Sequence, residues 1–230
     1  MNYLGISDQD LSALHLSFKL ALTTSVLLIL ISIPLTYLVL TAKSYRRTIV
    51  EALSLLPLVL PPAVIGFYIL LLLSDASPIG QLLAKFGVKS LAFSFKGMVL
   101  GSVIFSFPMV FQTIQMDFNS VDQKQCESAY LLGASQVKAF ITILLPQCLN
   151  SIITALLLGF CHTFGEFGVV LIIGGNMPGI TKVLSIQLYE KIETYDFAGA
   201  HRLSAIYLLA ALVALFLIFY IKKTYFFRKF

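Results

Sequence analysis

Five long uncharged stretches constrain this chain more than anything else in it. A helix that crosses about 30 Å of hydrocarbon needs about 20 mostly apolar residues, and it satisfies every backbone hydrogen bond within itself. Five stretches qualify: Leu20 to Ala42, Ala52 to Ser74, Gly97 to Met116, Ala139 to Gly165, with His162 as its only ionisable group, and Leu203 to Ile221. Each reads as one membrane helix, with spans set at about 17–42, 52–74, 97–116, 144–173 and 203–222. The expected fold is an all-α integral membrane protein of about five transmembrane helices in a single domain, 1–230. Composition agrees: 58% of the residues are hydrophobic and 12% charged, against roughly a quarter charged in soluble domains.

The start of the chain shows no cleavable-signal pattern. Met1 to Leu14 is mixed, carries Asp8 and Asp10, and leads into an apolar run too long for a signal core. Cys126, Cys148 and Cys161 lie in or beside the third and fourth spans, which argues against a disulfide framework or a metal cluster. The net charge of +5 is scattered between apolar spans and forms no continuous stripe, so no nucleic-acid partner is expected.

With five spans the termini lie on opposite sides, and the positive-inside rule chooses between two arrangements. One puts Lys43, Arg46, Arg47, Lys124, Lys138, Lys222, Lys223, Arg228 and Lys229 in the cytoplasm. It leaves Lys19, Lys85, Lys89, Lys96, Lys182, Lys191 and Arg202 outside. The totals are close, but the loop Lys43 to Arg47 and the tail after Ile221 crowd seven cytoplasmic charges against helix ends. An external amino terminus and a cytoplasmic carboxyl terminus are expected.

Two spans contain local irregularities. The second holds Pro57, Pro61 and Pro62; each proline removes a donor and clashes with the preceding turn, so the helix must bend or break there. Freed carbonyls in hydrocarbon need partners, which places such a break against other helices or a water-filled path. A packing kink and a pore-lining gate both fit. Pro34 and Pro108 repeat the pattern more weakly. Glu166, in Gly165-Glu166-Phe167-Gly168, is an ionisable group at membrane depth, a position usually tied to a bundle interior, a cavity or a partner charge. A helix end near the surface, or an ion pair, would equally account for it. His162 reads as a packed, hydrogen-bonded side chain before it reads as a proton relay. Segment 174–181, Gly-Gly-Asn-Met-Pro-Gly-Ile-Thr, is turn-rich. No phosphate loop, zinc-binding His-Glu-x-x-His or nucleophile elbow occurs, so the chain is not expected to be an enzyme and any energy source lies elsewhere.

The most polar cytoplasmic stretch is 117–146. Its chemistry predicts a helix–turn–helix. Asp122 caps the first helix, Gly133 ends it in a left-handed conformation, and Ser135 caps a second that runs through Ile141 into the membrane until Pro146. The residues here resemble a known pattern. Glu127-Ser128-Ala129, three residues, Gly133, nine residues, Ile143, one residue, then Leu145-Pro146 is similar to the Glu-Ala-Ala loop of ABC importer permeases, with Ser128 replacing the middle alanine. The likeness extends over nearly the whole chain to the molybdate permease branch of these binding-protein-dependent type I importers. It is carried by residues 57–62, Ser106-Phe107-Pro108, 165–168 and 175–179 with Thr181. Sulfate and tungstate permeases share much of this, and 193–200 looks somewhat sulfate-like.

The resemblance implies the rest. Glu127, Ser128, Ala129, Gly133, Ala134, Ser135, Ile143, Leu145 and Pro146 form a coupling loop seated on an ATPase subunit. Pro57, Pro61, Pro62, Pro108 and Glu166 are pore or gate candidates. The expected assembly holds a second permease copy as a homodimer, two cytoplasmic ABC ATPase subunits and an external, periplasmic oxyanion-binding protein. ATP-Mg is held on the ATPase subunits and no cofactor on this chain. The expected location is the bacterial inner membrane, multi-pass.

Overall fold

The computed structural model describes residues 7–87 and 90–226. Lys89, Arg228, Lys229 and Met1 to Ile6, which entered the expectations above, lie outside the described residues. In order, the helices are α1 Asp8–Thr41, α2 Ser44–Val59, α3 Pro62–Leu73, α4 Pro78–Lys85, α5 Phe95–Ser120, α6 Gln123–Leu131 and α7 Gln136–Ala139. A π-helical turn, Phe140–Leu144, follows, then α8 Leu145–Gln147, α9 Leu149–Phe164, α10 Gly168–Gly174, α11 Leu184–Glu193 and α12 Phe197–Phe226. No strand occurs among the described residues.

Three helices, α1, α5 and α12, are long and apolar enough to cross a membrane by themselves. Five spans result if two bent helix pairs each count as one. The all-α membrane architecture is therefore as expected, but two spans are not single helices. The second is divided between α2 and α3, which meet at 109°. The region assigned to the fourth, 144–173, is divided twice: at Cys148, where the chain bends by 70°, and between Phe164 and Gly168. The first helix also starts at Asp8 rather than 17, because Ser7 caps it with a reciprocal bond to Asp10.

Helices α1, α5 and α9 pack together at the centre. Lipid tails are as apolar as leucine, so helices in a membrane associate through close packing, and small residues line their contacts. The buried face of α1 carries Ala13, Ser17, Ala21, Thr24, Ser25, Ser32 and Thr36 at helical spacing; α5 offers Gly97, Gly101, Ser102 and Ser106, and α9 offers Thr154, Ala155, Gly159 and Thr163. At Gly159 a methyl group would sit 2.8 Å from a methyl of Val110 and 3.5 Å from one of Leu28, so these three helices meet where a side chain is missing. Larger side chains fill the two ends of the seam. Leu28, Val110, Ile114, Phe118, Phe140 and Ala155 cluster towards the 117–146 loop, and Leu20, Met98, Val170, Val183 and Ile186 towards α11.

Around this core, α3 and α10 pack on each other and on α5, α2 lies along α5, and α12 leans on α9 and α11. Helix α12 is largely bare: Leu208, Leu209, Phe216, Phe219 and Tyr220 are all more than 60% exposed. On a membrane-spanning helix such residues face lipid.

At Gly97 the chain leaves no room for a side chain against unyielding backbone: a β-carbon would lie 2.1 Å from the Leu91 carbonyl oxygen. Gly97→Ala should lower stability by about 1–3 kcal/mol, read as a lowered thermal midpoint of the detergent-extracted protein. An unchanged midpoint would contradict this packing.

Candidate functional site: a capped knob and a paired helix break

The segment after α5 is built by capping. The Asp122 carboxylate accepts from the Lys124 amide at 3.0 Å and starts α6. At the other end the Gly133 amide donates to the Tyr130 carbonyl, and the Ala134 amide to the Ala129 carbonyl, both at 2.9 Å. That pair of bonds is a Schellman motif, which requires a left-handed residue at Gly133; its φ is +84°. Ser135 then accepts from the Lys138 amide at 3.3 Å and starts α7. The positions of Ala129, Gly133, Ala134 and Ser135 in the spaced pattern are thus those that close one helix and open the next.

The expectation that this second helix stops at Pro146 is corrected. The chain continues through Pro146 by widening: the Leu145 amide bonds the Phe140 carbonyl five residues back. Proline removes one donor and crowds the carbonyl four residues before it, here Thr142. A π turn directly before it loosens that crowding. The bend comes two residues later, at Cys148. Below the knob, Phe140 stacks on Phe118 and meets Tyr37 edge-on, while Leu144 and Leu145 pack into the same cluster. Gln147 donates to Gln125 at 2.7 Å and holds α8 to α6.

The outer face of the knob is unexpectedly apolar. Leu131 is 90% and Leu132 89% exposed, with Val137 and Ile141 also bare; Glu127 and Ser128 are exposed beside them. Leu131 and Leu132 were not singled out in the sequence. The signal that could have found them is position, since they fall in the last turn before Gly133.

A second group missed in the sequence ties the knob to the broken span. Glu51 of α2 accepts from Arg47 Nε at 2.8 Å and from Gln115 Nε2 at 2.5 Å, while Arg47 Nη2 donates to the Asn119 amide oxygen at 3.2 Å. Two side chains one turn apart on α2 therefore grip two one turn apart on α5, the nearer four residues before α6 begins. Apart from Ser54, α2 buries no residue, so this polar grip is its main specific tie to the core. The Arg47 and Glu51 spacing is visible as an i,i+4 pair; Gln115 and Asn119 need the fold.

Of the prolines, Pro57 stays inside α2. The break falls at Pro61 and Pro62, because a residue before proline is pushed out of the helical region: Leu60 has ψ 141° and Pro61 ψ 138°, and Pro62 becomes the first residue of α3. Pro108 is buried in an unbroken α5. The fold brings the Pro61–Pro62 break against the second break, since a β-carbon on Gly168 would lie 3.0 Å from that of Pro62. The carbonyls freed where α9 ends find partners: Tyr207 of α12 donates to the Phe164 carbonyl at 3.3 Å, and Ser185 of α11 to the Glu166 carbonyl at 2.6 Å.

Glu166 itself is 6% exposed, and neither carboxylate oxygen has a hydrogen-bond partner. The Ser102 hydroxyl faces it but falls short of hydrogen-bond geometry. Helix α9 does end at Phe164, just before Glu166, as one reading had it, and the ion pair considered for Glu166 is not found among the described residues. One turn earlier, His162 Nδ1 lies 2.8 Å from the Ser106 hydroxyl, which also reaches Thr163 at 3.2 Å. The ring of His162 rests against Phe105.

The turn at 174–183 is more than a loop. Gly175 and Gly179 have φ of +65° and +73°, and the Met177 carbonyl accepts from the amides of Ile180, Thr181 and Lys182. Thr181, fully buried, donates to the Gly174 carbonyl at 2.7 Å. Glu190 of α11 locks the turn, accepting from Lys182 Nζ at 2.6 Å and Asn176 Nδ2 at 2.8 Å.

With this geometry in hand, similarity to other proteins is informative. Residues 29–230 match the family described as binding-protein-dependent transport system inner membrane component. The molybdenum transport system permease protein ModB of Azotobacter vinelandii is 38% identical over 214 residues, covering 93% of this chain and 95% of that protein. The sulfate transport system permease protein CysT of Synechococcus elongatus is 37% identical over 163 residues, covering 71% of this chain and 58% of that protein. A solved bacterial alginate ABC transporter, crystallised with an alginate pentasaccharide-bound periplasmic protein, superposes with a TM-score of 0.72 at 18% identity, over 94% of this chain and 77% of the matched one. At that identity the likeness concerns the fold.

The Glu190 lock gives a pH prediction. The hydrogen bond from Lys182, then that from Asn176, holds its carboxyl below the usual glutamate range. A depressed folded pKa contributes stability above the ordinary value and loses it as pH falls. Protection of the 175–183 amides, taken as their exchange rate relative to that of an unstructured chain at the same pH, should therefore be high near neutrality and fall below about pH 4. Glu190→Gln should exchange faster at neutral pH and lose that acid dependence.

Proposed function

From the premise that this chain belongs to the family of binding-protein-dependent transport system inner membrane components, we propose that it is the permease of an ATP-driven importer whose cargo is molybdate. It is a multi-pass membrane subunit of the ABC import class, and such subunits are not themselves catalytic. In our reading the knob at 122–139 faces the cytoplasm, two copies of the chain enclose the passage, and two separate ATPase subunits hold ATP-Mg and hydrolyse it. An external binding protein delivers the tetrahedral oxyanion. The amino-terminal end lies outside, in the bacterial inner membrane.

The observation that carries the coupling part of this reading is the exposed Leu131 and Leu132 pair. Two bare leucines on a polar, water-facing helix end are costly unless a partner covers them. Their carrier is short and stiff, with both ends capped and its base clamped by aromatic stacking. Displacement of the knob is passed to α5 directly and, through Arg47, Glu51, Gln115 and Asn119, to α2. Helix α2 ends at the Pro61 break, which lies against the Gly165–Gly168 break. ATP-driven approach of the two knobs thus reaches both irregular helices and switches the passage from inward-facing to outward-facing.

The molybdate part rests on the relatives: the match to ModB of Azotobacter vinelandii runs over nearly the full length of both chains, and the match to CysT does not. A sulfate permease is the second reading, favoured by the similarity to CysT. Uptake of labelled molybdate into cells, with the cognate binding protein present, should be suppressed by equimolar tungstate and withstand a large excess of sulfate. Suppression by sulfate at equimolar level would transfer the assignment.

Gly133 tests the coupling. A β-branched residue forced to φ near +84° costs about 1–2 kcal/mol, and it opens the Schellman turn. Gly133→Val should lower uptake by about tenfold or more and weaken co-purification of the ATPase, with membrane insertion intact. Gly133→Asn, which tolerates the left-handed region, should keep most of both. Wild-type uptake by the valine variant would overturn the role given to this turn.

A further inference from the structure

A long apolar groove runs along α12, walled on its other sides by the amino-terminal turns of α1 and the carboxyl-terminal half of α9. It encloses about 970 Å³. Its walls are aliphatic and aromatic, Phe18, Phe160, Leu209 and Leu217 among them; its only side chains with ionisable groups are His15 and Arg202, both at the same end. No carboxylate lines it. Asp196, an acid close enough to feel Arg202, is already engaged by Lys191 Nζ at 3.2 Å and by the Gly199 amide at 2.9 Å. Arg202 therefore keeps a largely uncompensated charge at the groove mouth.

The dimensions fit one kind of occupant. From Arg202 to Leu217 is fifteen residues of helix, about 22 Å at 1.5 Å per residue. Half of a bilayer's hydrocarbon core is about 15 Å, and the headgroup layer lies beyond it. A groove that begins with a cation at headgroup depth and continues as a purely apolar trough through one leaflet matches a molecule with an anionic head and hydrocarbon tails. Its floor includes Ala205, Ala210 and Ala214, whose small side chains make the trough.

We propose that this groove is a binding site for an anionic glycerophospholipid, its phosphate held by Arg202 with His15 beside it and its acyl chains laid along α12 between Phe18 and Phe160. The lipid comes from the leaflet on the side of the α1 amino terminus. It completes the packing of α12, which is otherwise thinly attached, and keeps Tyr207 of the same helix aimed at the Phe164 carbonyl. The inference rests on the membrane-spanning architecture and is independent of the transported ion.

The test uses the full chain extracted in mild detergent and examined by native mass spectrometry after exchange into mixed micelles of phosphatidylglycerol and phosphatidylcholine. The wild type should retain phosphatidylglycerol in preference to phosphatidylcholine. Arg202→Gln should reduce that retention about fivefold and leave phosphatidylcholine little changed, whereas Ala205→Phe, which fills the trough from an exposed position, should reduce both. Equal retention of the two lipids by the wild type, or phosphatidylglycerol retention unaffected by Arg202→Gln, would overturn the proposal. So would an Ala205→Phe variant that keeps its lipid but loses its dimer, because the groove would then be a contact between copies. Transport is not the readout, so a failed cargo assignment and a failed lipid site are separately visible.

Discussion

Everything in this fold depends on the rule that a peptide group in hydrocarbon must find its hydrogen-bond partner within the protein. An unbroken helix meets the rule by itself, which is why α1, α5 and α12 need no special chemistry. The irregular segments meet it with borrowed groups. Tyr207 and Ser185 serve the carbonyls of Phe164 and Glu166, and Thr181 serves Gly174. The breaks are consequently fixed in place, and they lie against each other because each needs the protein interior. A membrane helix that must interrupt itself is driven towards other helices that do the same.

Close approach of the helices follows from a related constraint. With no water to expel between helices, attraction comes from contact at short range, and the α1, α5 and α9 seam is made of alanine, glycine, serine and threonine. The cost is a set of buried hydroxyls, Thr24, Ser32, Thr36 and Ser102, that have no partner. With Glu166 they make the seam the most polar part of the interior. Such a seam can slide with a smaller penalty than one locked by interdigitated leucines, which suits a core that must change shape during transport.

The coupling proposed for the knob requires the opposite property. Each joint from the knob to the break is short and doubly held: two bonds close α6, an aromatic stack supports its base, and Arg47 with Glu51 meets Gln115 with Asn119 across α2 and α5. The polar grip between α2 and α5, part-buried or exposed, can be undone without unpacking the core.

The sequence by itself determined whatever depends on neighbours within one or two turns. The apolar runs marked the spanning segments, three of them single helices and two of them bent pairs. Asp122, Gly133 and Ser135 set the capped knob, because caps and left-handed turns are local chemistry, and the prolines announced a break in the second span. Only the tertiary structure decided where that break fell, that it met the one at Gly165–Gly168, and that the chain widened past Pro146 instead of stopping. The pairing of Glu51 with Gln115, the unpartnered burial of Glu166 and the groove beside α12 also emerged only from the fold. Each depends on side chains far apart in sequence meeting across a helix seam, and hydrophobic periodicity shows which residues can be buried without showing which helix they will be buried against.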